Sequence, residues 1–297
     1  MPHILKNKNL EIHIDLPSEN YNASRFDWTG KIVKVTFQNT QLSSMERHDF
    51  KNEHQQGKGL YNEFGMDTAL GFEEAAIGGW FHKIGVGLLK KEDATYSCGK
   101  NLEIKPAEFK IIAKSNSLLI NCHSESINGY SYVLKKEMLL QDNNFIINYD
   151  LKNTGEKDII TDEYVHNFTV INKELIGNNY ILKFPFDLKP SQFIEAVNPE
   201  QKVKIGQNTI TFSDTLKDVI FFSNLSGFKN VDAQWELIHL KSNIGIKEKG
   251  SFQTNKVNLW GAKHVISPEL FFSISVKPGQ STQWSRTYTM YNVSQTN

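Results

Sequence analysis

Apolar and polar residues alternate with a period of two along most of this chain, and that spacing is the strongest constraint on its fold. Successive side chains of a β-strand point to opposite faces, so alternation marks a strand with one face in a core and the other toward solvent. In residues 31–38, Val33, Val35 and Phe37 share one face while Lys34, Thr36 and Gln38 share the other. In residues 145–152, Phe145, Ile147, Tyr149 and Leu151 oppose Asn148, Asp150 and Lys152. In residues 269–277, Leu270, Phe272, Ile274 and Val276 oppose Ser273, Ser275 and Lys277. Turn dipeptides such as Asn128-Gly129, Asn178-Asn179 and Pro278-Gly279 separate these runs. Residues 103–171 read as a meander of strands joined by tight turns. Long helical periodicity is absent, and Gly71 weakens the short helix that residues 67–76 could hold. No Pro/Gly/Ser-rich linker divides the 297 residues. The expectation is therefore an all-β protein, a large antiparallel two-sheet β-sandwich forming a single domain over 1–297.

Composition excludes several classes of function. Lys plus Arg and Asp plus Glu are both 33, so the basic footprint of a nucleic-acid binder is missing. No stretch approaches the roughly 18 apolar residues of a membrane span. The first ten residues carry no apolar leader core, and a cytoplasmic protein is expected. Cys98 and Cys122 are then expected as reduced thiols. No Gly-Lys-Ser/Thr loop, His-Glu-x-x-His, Cys-x-x-Cys or Gly-x-Ser-x-Gly occurs, so neither a cofactor nor a metal is expected.

Histidines and carboxylates on strands carry what chemistry remains. In Trp80-Phe81-His82-Lys83-Ile84-Gly85-Val86, alternation puts Trp80, His82, Ile84 and Val86 on one face. His82 reads either as a core histidine or as a ligand contact on an aromatic floor. In Tyr164-Val165-His166-Asn167-Phe168, His166 again lies among aromatics, with the same two readings. Glu269 opens the last alternating run on its polar face, either as a solvated carboxylate or as one fixed in place by Pro268.

The order of these segments resembles the aldose 1-epimerase (galactose mutarotase-like) family. An Asn153-Thr154-Gly155 turn precedes Tyr164-Val165-His166-Asn167-Phe168, and Asn258-Leu259-Trp260 precedes Ser267-Pro268-Glu269 and the Pro278-Gly279 turn. The resemblance runs over roughly residues 28–291 and implies a galactose mutarotase-like supersandwich with a sugar on the concave face of one sheet. It further implies an isomerase of carbohydrate metabolism that interconverts sugar anomers. Glu269 would be the general base, His166 the general acid, and His82 would support the sugar. In the region where the family has an arginine before the first histidine, Asn62-Glu63-Phe64-Gly65 stands here. Lys83-Ile84-Gly85 also departs from the family's Gly-Phe-Ala-Arg after that histidine. Asn62, Trp80, Tyr164, Trp235, Trp260 and His264 are the candidate sugar contacts, the aromatics as stacking surfaces and His264 at the same end as Glu269. The expected partner is a small-molecule sugar or sugar derivative, with no nucleic acid or membrane, and the protein is a monomer or homodimer. A non-catalytic carbohydrate-binding protein on the same fold is the alternative. A glycoside hydrolase would need a second carboxylate facing Glu269, for which Asp232 or Glu236 are candidates.

Overall fold

The computed structural model describes residues 2–17, 19–48 and 52–293. Its strands pair antiparallel. One sheet has seven strands, in the order His3–Lys6, Leu10–Asp15, Lys31–Phe37, Leu60–Phe64, Ile159–Asn167 and Phe272–Val276, with Thr40–Gln41 beside Lys31–Phe37. A ten-stranded sheet runs from Val203–Ile205 through Thr209–Phe212, Tyr180–Lys183, Val231–His239, Ile244–Thr254, Ser281–Asn292, Asn144–Asn153, Tyr132–Gln141 and Ser117–His123 to Glu108–Ala113. A four-stranded sheet (Ala196–Val197, Ile220–Phe222, Val257–Ala262, Val265–Leu270) and a three-stranded one (Trp80–Lys83, Gly87–Lys90, Ile104–Pro106) lie alongside. No helix among the described residues is long and apolar enough to cross a membrane. Cys98 and Cys122 are both free.

Most of the apolar residues read from alternation form the core. Val35 and Phe37, Phe145 to Leu151 on alternate positions, and Ile274 and Val276 are all buried in one cluster. Val33 does not share their face: the register shifts between Lys34 and Ile32, Ile32 takes the core position, and Val33 is partly buried against a second cluster. Four further sequence expectations need correction. The meander covers only the strands from Glu108–Ala113 to Asn144–Asn153, because the next strand, Ile159–Asn167, leaves for the seven-stranded sheet. Residues 67–76 form turns rather than a helix. Residues 269–277 are two strands in two sheets, with Phe271 between them. Every residue of Val265–Leu270 is buried, so the strand has no solvated face for alternation to report. Finally, the run from Trp80 ends at Lys83 in a turn. Gly85 has φ +81°, and a Cβ there would overlap Asp27, so only glycine fits.

A buried polar spine joins the two large sheets. Arg286, fully buried on Ser281–Asn292, donates from Nη2 to Glu163 Oε2 at 2.7 Å and from Nη1 to Glu248 Oε1 at 2.6 Å. Trp235 Nε1 and Asn167 Nδ2 both donate to Glu248 Oε2. Lys136 Nζ bridges Asp27 Oδ2 at 2.9 Å and Asn62 Oδ1 at 2.7 Å. Buried charges are tolerable only when paired and hydrogen-bonded in this way. The spine also fixes register. With Asn62, Glu163 and Asn167 pointing into the sandwich, alternation sends Glu63, Tyr164 and His166 to the opposite face.

Candidate active site

His166 and Glu269 are brought together by strand register. At the open end of Ile159–Asn167, Thr169 exchanges backbone hydrogen bonds with Ile266, at 3.0 and 2.9 Å. Following that antiparallel register three residues along each chain places His166 opposite Glu269. Asn167 Nδ2 donates to the Pro268 carbonyl at 2.7 Å and holds the same alignment between them. His166 Nδ1 lies 2.9 Å from Glu269 Oε1, an ion-pair distance whose approach is not aligned as a hydrogen bond. Ser267 Oγ donates to the same carboxylate oxygen at 3.4 Å. Glu269 is buried, not solvated on a polar face as alternation suggested. The imidazole stacks on Phe168 at 5.0 Å and meets Phe26 edge-on at 5.6 Å.

The other ring nitrogen faces a charge cluster. Arg25 Nη2 lies 2.7 Å from His166 Nε2, and the Tyr164 hydroxyl 2.8 Å from it. A guanidinium only donates, so Nε2 accepts and the neutral ring carries its proton on Nδ1, beside Glu269. Arg25 also donates from Nε to Glu63 Oε2 at 3.0 Å and from Nη1 to Glu46 Oε1 at 3.1 Å. Tyr164 donates to Glu63 Oε2 at 2.6 Å. Lys83 Nζ donates to Glu63 Oε1 at 3.4 Å and to the Tyr96 hydroxyl at 2.9 Å. Burial works against ionisation of Glu63, yet Arg25, Lys83 and His166 together hold its carboxyl below the usual range, at about 2. Burial likewise opposes the Lys83 cation, and Glu63 overrides it and raises the amine. The Cys98 thiol nearby is pushed up by burial and then by Glu63.

The side chains of His166 and Glu269 are only 8% and 3% exposed, whereas Arg25 is 24% and Glu46 22% exposed. Arg25, bonded to His166, reaches a cavity that His166 and Glu269 do not line. Arg25 and Glu46 line a cavity of about 170 Å³ together with Tyr21, Gln56, Lys100 and Asn101. A shallower groove of about 430 Å³ crosses the outer face of the ten-stranded sheet at Lys135, Glu137 and Gln283, and none of the candidate catalytic or sugar-contacting residues lines it.

The remaining sequence-derived residues disperse. His82 makes none of these contacts. It is buried against Tyr130 and Tyr132, with Nε2 at 3.2 Å from the Tyr130 carbonyl, and burial pushes it down to about 4. Its neighbour Lys83 takes the position facing the cluster. Asn62 belongs to the interior spine, accepting from Lys136 and from the Tyr149 hydroxyl. Trp235 is fully buried on Glu248, so it offers no stacking face. Trp80 is half-buried on the three-stranded sheet. Tyr164 borders the site but is buried and stacked on Phe271. Trp260 is half-buried, edge-on to Phe168 at 6.0 Å. His264 faces His48 in a different cavity. Neither carboxylate suggested as a partner for Glu269 meets it: Glu236 bonds Tyr291 and Lys183, and Asp232 is exposed.

Arg25, Glu46 and Glu63 escaped sequence reasoning. Composition held one signal. The chain has three arginines among 33 basic residues, and Arg25 and Arg286 each pair with two carboxylates at once, Glu63 with Glu46 and Glu163 with Glu248, a forked geometry that lysine cannot supply.

Across nearly the whole chain this architecture is the galactose mutarotase-like fold. Among solved structures, the chain matches a galactose mutarotase related enzyme from Lactobacillus acidophilus with TM-score 0.59 and 12% identity, covering 99% of each chain. It matches a galactose mutarotase-like protein from Lactobacillus casei ATCC 334 with TM-score 0.60 and 10% identity, covering 98% of this chain and 100% of that one. It matches an aldose epimerase homologue from C. elegans with TM-score 0.59 and 12% identity, covering 99% and 100%. No protein-family model and no curated protein matches the sequence. At such identities the likeness defines the fold.

Proposed function

We propose that this chain is a single-domain, aldose 1-epimerase-like isomerase that interconverts the anomers of a sugar in the cytoplasm, as a monomer or homodimer. The observation that carries the reading is the His166–Glu269 pair at 2.9 Å, set in register by neighbouring strands, with Arg25, bonded to His166, lining a polar cavity. Glu269 takes the proton of the anomeric hydroxyl while His166 protonates the ring oxygen. The C1–O5 bond breaks to give the open-chain aldehyde, the C1–C2 bond rotates, and closure returns both protons. Histidine suits the acid role because its ordinary titration lies near neutrality. Arg25 occupies Nε2 and the ring proton sits on Nδ1, so the sugar must draw the guanidinium aside and Nε2 must take up a proton from solvent before the imidazole can protonate the ring oxygen. Glu46, already paired with Arg25 at 3.1 Å, is a landing point for it.

The same obstruction favours a second reading, a carbohydrate-binding protein without catalysis, in which Arg25 and the polar cavity hold the sugar and the dyad stays closed. Exchange NMR on a panel of aldoses separates the two. Anomeric exchange above the uncatalysed rate supports the isomerase, and saturable binding with no acceleration overturns it in favour of the binding protein.

A further inference from the structure

A separate cavity of about 460 Å³ opens where residues 41–48, residues 170–175 and the turn at Lys263 and His264 meet. Val33, Val170 and Leu175 give it apolar wall. Its cationic lining is Lys58, Lys173 and Lys263, beside the imidazoles of His48 and His264, and among the described residues no aspartate or glutamate lines it. Among the described residues, none of these three lysines has a side-chain hydrogen bond or ion pair. Elsewhere lysines such as Lys83, Lys136 and Lys202 have carboxylate partners. Like charges gathered in one concavity repel unless something of opposite sign joins them.

His264 adds an independent observation. Its Nε2 lies 3.1 Å from the Met45 carbonyl, which can only accept, so Nε2 carries a proton and Nδ1 is the free nitrogen. Nδ1 is buried and has no partner. A buried polar atom left this way has lost its hydrogen bonds to water without replacement, a loss that a ligand can recover. The His48 ring stands 4.2 Å from the His264 ring. Burial, and then His48, push His264 below the usual imidazole range.

We propose that this cavity binds an organic anion, a phosphate or carboxylate group on an apolar body. The head group meets Lys58, Lys263 and His264, and the body rests on Val33, Val170 and Leu175. Nδ1 of His264 accepts from a phosphate monoanion's remaining O–H or, once protonated, donates to the anion. Arg25, His166 and Glu269 do not line this cavity, so the inference stands or falls apart from the proposed isomerase.

Calorimetric titration of the full chain with phenyl phosphate, benzoate, phenol and inorganic phosphate tests it. Phenyl phosphate or benzoate binds saturably, and whichever is tighter identifies the head group. Phenol and inorganic phosphate bind at least about tenfold more weakly, because each lacks one half of the recognition. Lys58→Ala and Lys263→Ala each weaken binding about tenfold with the thermal midpoint unchanged, and Lys263→Arg restores most of it. Four results overturn the proposal: phenol binding as tightly as phenyl phosphate, no binding of any probe at about 10 mM, affinity unchanged in the double lysine variant, or affinity abolished by Arg25→Lys, which would move the anion to the other cavity.

Discussion

Replacing Glu63 by glutamine probes the charge cluster that surrounds His166. Glu63 is fully buried and receives Arg25 at 3.0 Å, Tyr164 at 2.6 Å and Lys83 at 3.4 Å. Glutamine keeps the shape and one acceptor oxygen but removes the charge, leaving Lys83, itself buried, without its counter-ion. Two routes give the magnitude. Lowering the carboxyl from the ordinary 4.5 to about 2 is worth about 3 kcal/mol at roughly 1.36 kcal/mol per tenfold change in proton affinity. Removing one partner of a buried ion pair costs about 3–5 kcal/mol in other proteins. The sign with pH follows from the depressed value. The stabilisation is fully present above 4.5 and is lost as pH falls toward about 2, where the folded state must also take up the proton. Urea unfolding of both proteins should therefore show Glu63→Gln less stable by about 3 kcal/mol near neutral pH, with the gap narrowing as the buffer is taken below about pH 4. A gap under about 0.5 kcal/mol, or one that does not change with pH, would refute an ionised, paired Glu63.

Three further outcomes follow from other parts of the structure. His82→Leu should leave anomerisation unchanged. It should also flatten the acid limb of stability: burial holds the folded His82 at about 4, so the wild type loses up to about 3 kcal/mol as pH falls from 6.5 toward 4 and the unfolded chain takes up a proton first. Denaturant titration across that window reads the difference. Arg286→Met leaves Glu163 and Glu248 without their shared cation in the interior, and should cost about 3–5 kcal/mol in chemical denaturation. Arg25→Lys keeps the charge beside Glu63 but loses the planar fork, so it should weaken sugar binding about tenfold by calorimetry while stability stays within about 1 kcal/mol.

The fold was legible wherever one face of a strand meets solvent. Phe145, Ile147, Tyr149 and Leu151 announced their strand because Asn148 and Asp150 share the other side. Legibility failed where burial is two-sided. In Val265–Leu270 nothing is solvated, so Glu269 looked like the polar start of the next strand. The candidate site divides along the same line. His166 and Glu269 emerged from segment order, and their contact follows from the Thr169–Ile266 register. His82 was placed on a common face with Trp80 and Val86, but the turn at Gly85 ends the strand and only Lys83 reaches Glu63. Arg25 lies 141 positions from His166 in the chain, and no local pattern marks such a contact.

The most direct test of the central claim is the rate of anomeric exchange in Glu269→Gln against the wild type, followed by exchange NMR on an aldose that the wild type accelerates. Glutamine preserves the packing against His166 and Ser267 but cannot take the proton from the anomeric hydroxyl. The rate should fall at least about a hundredfold, with sugar binding retained. An unchanged rate in the variant would contradict Glu269 as the base and leave the fold alone standing.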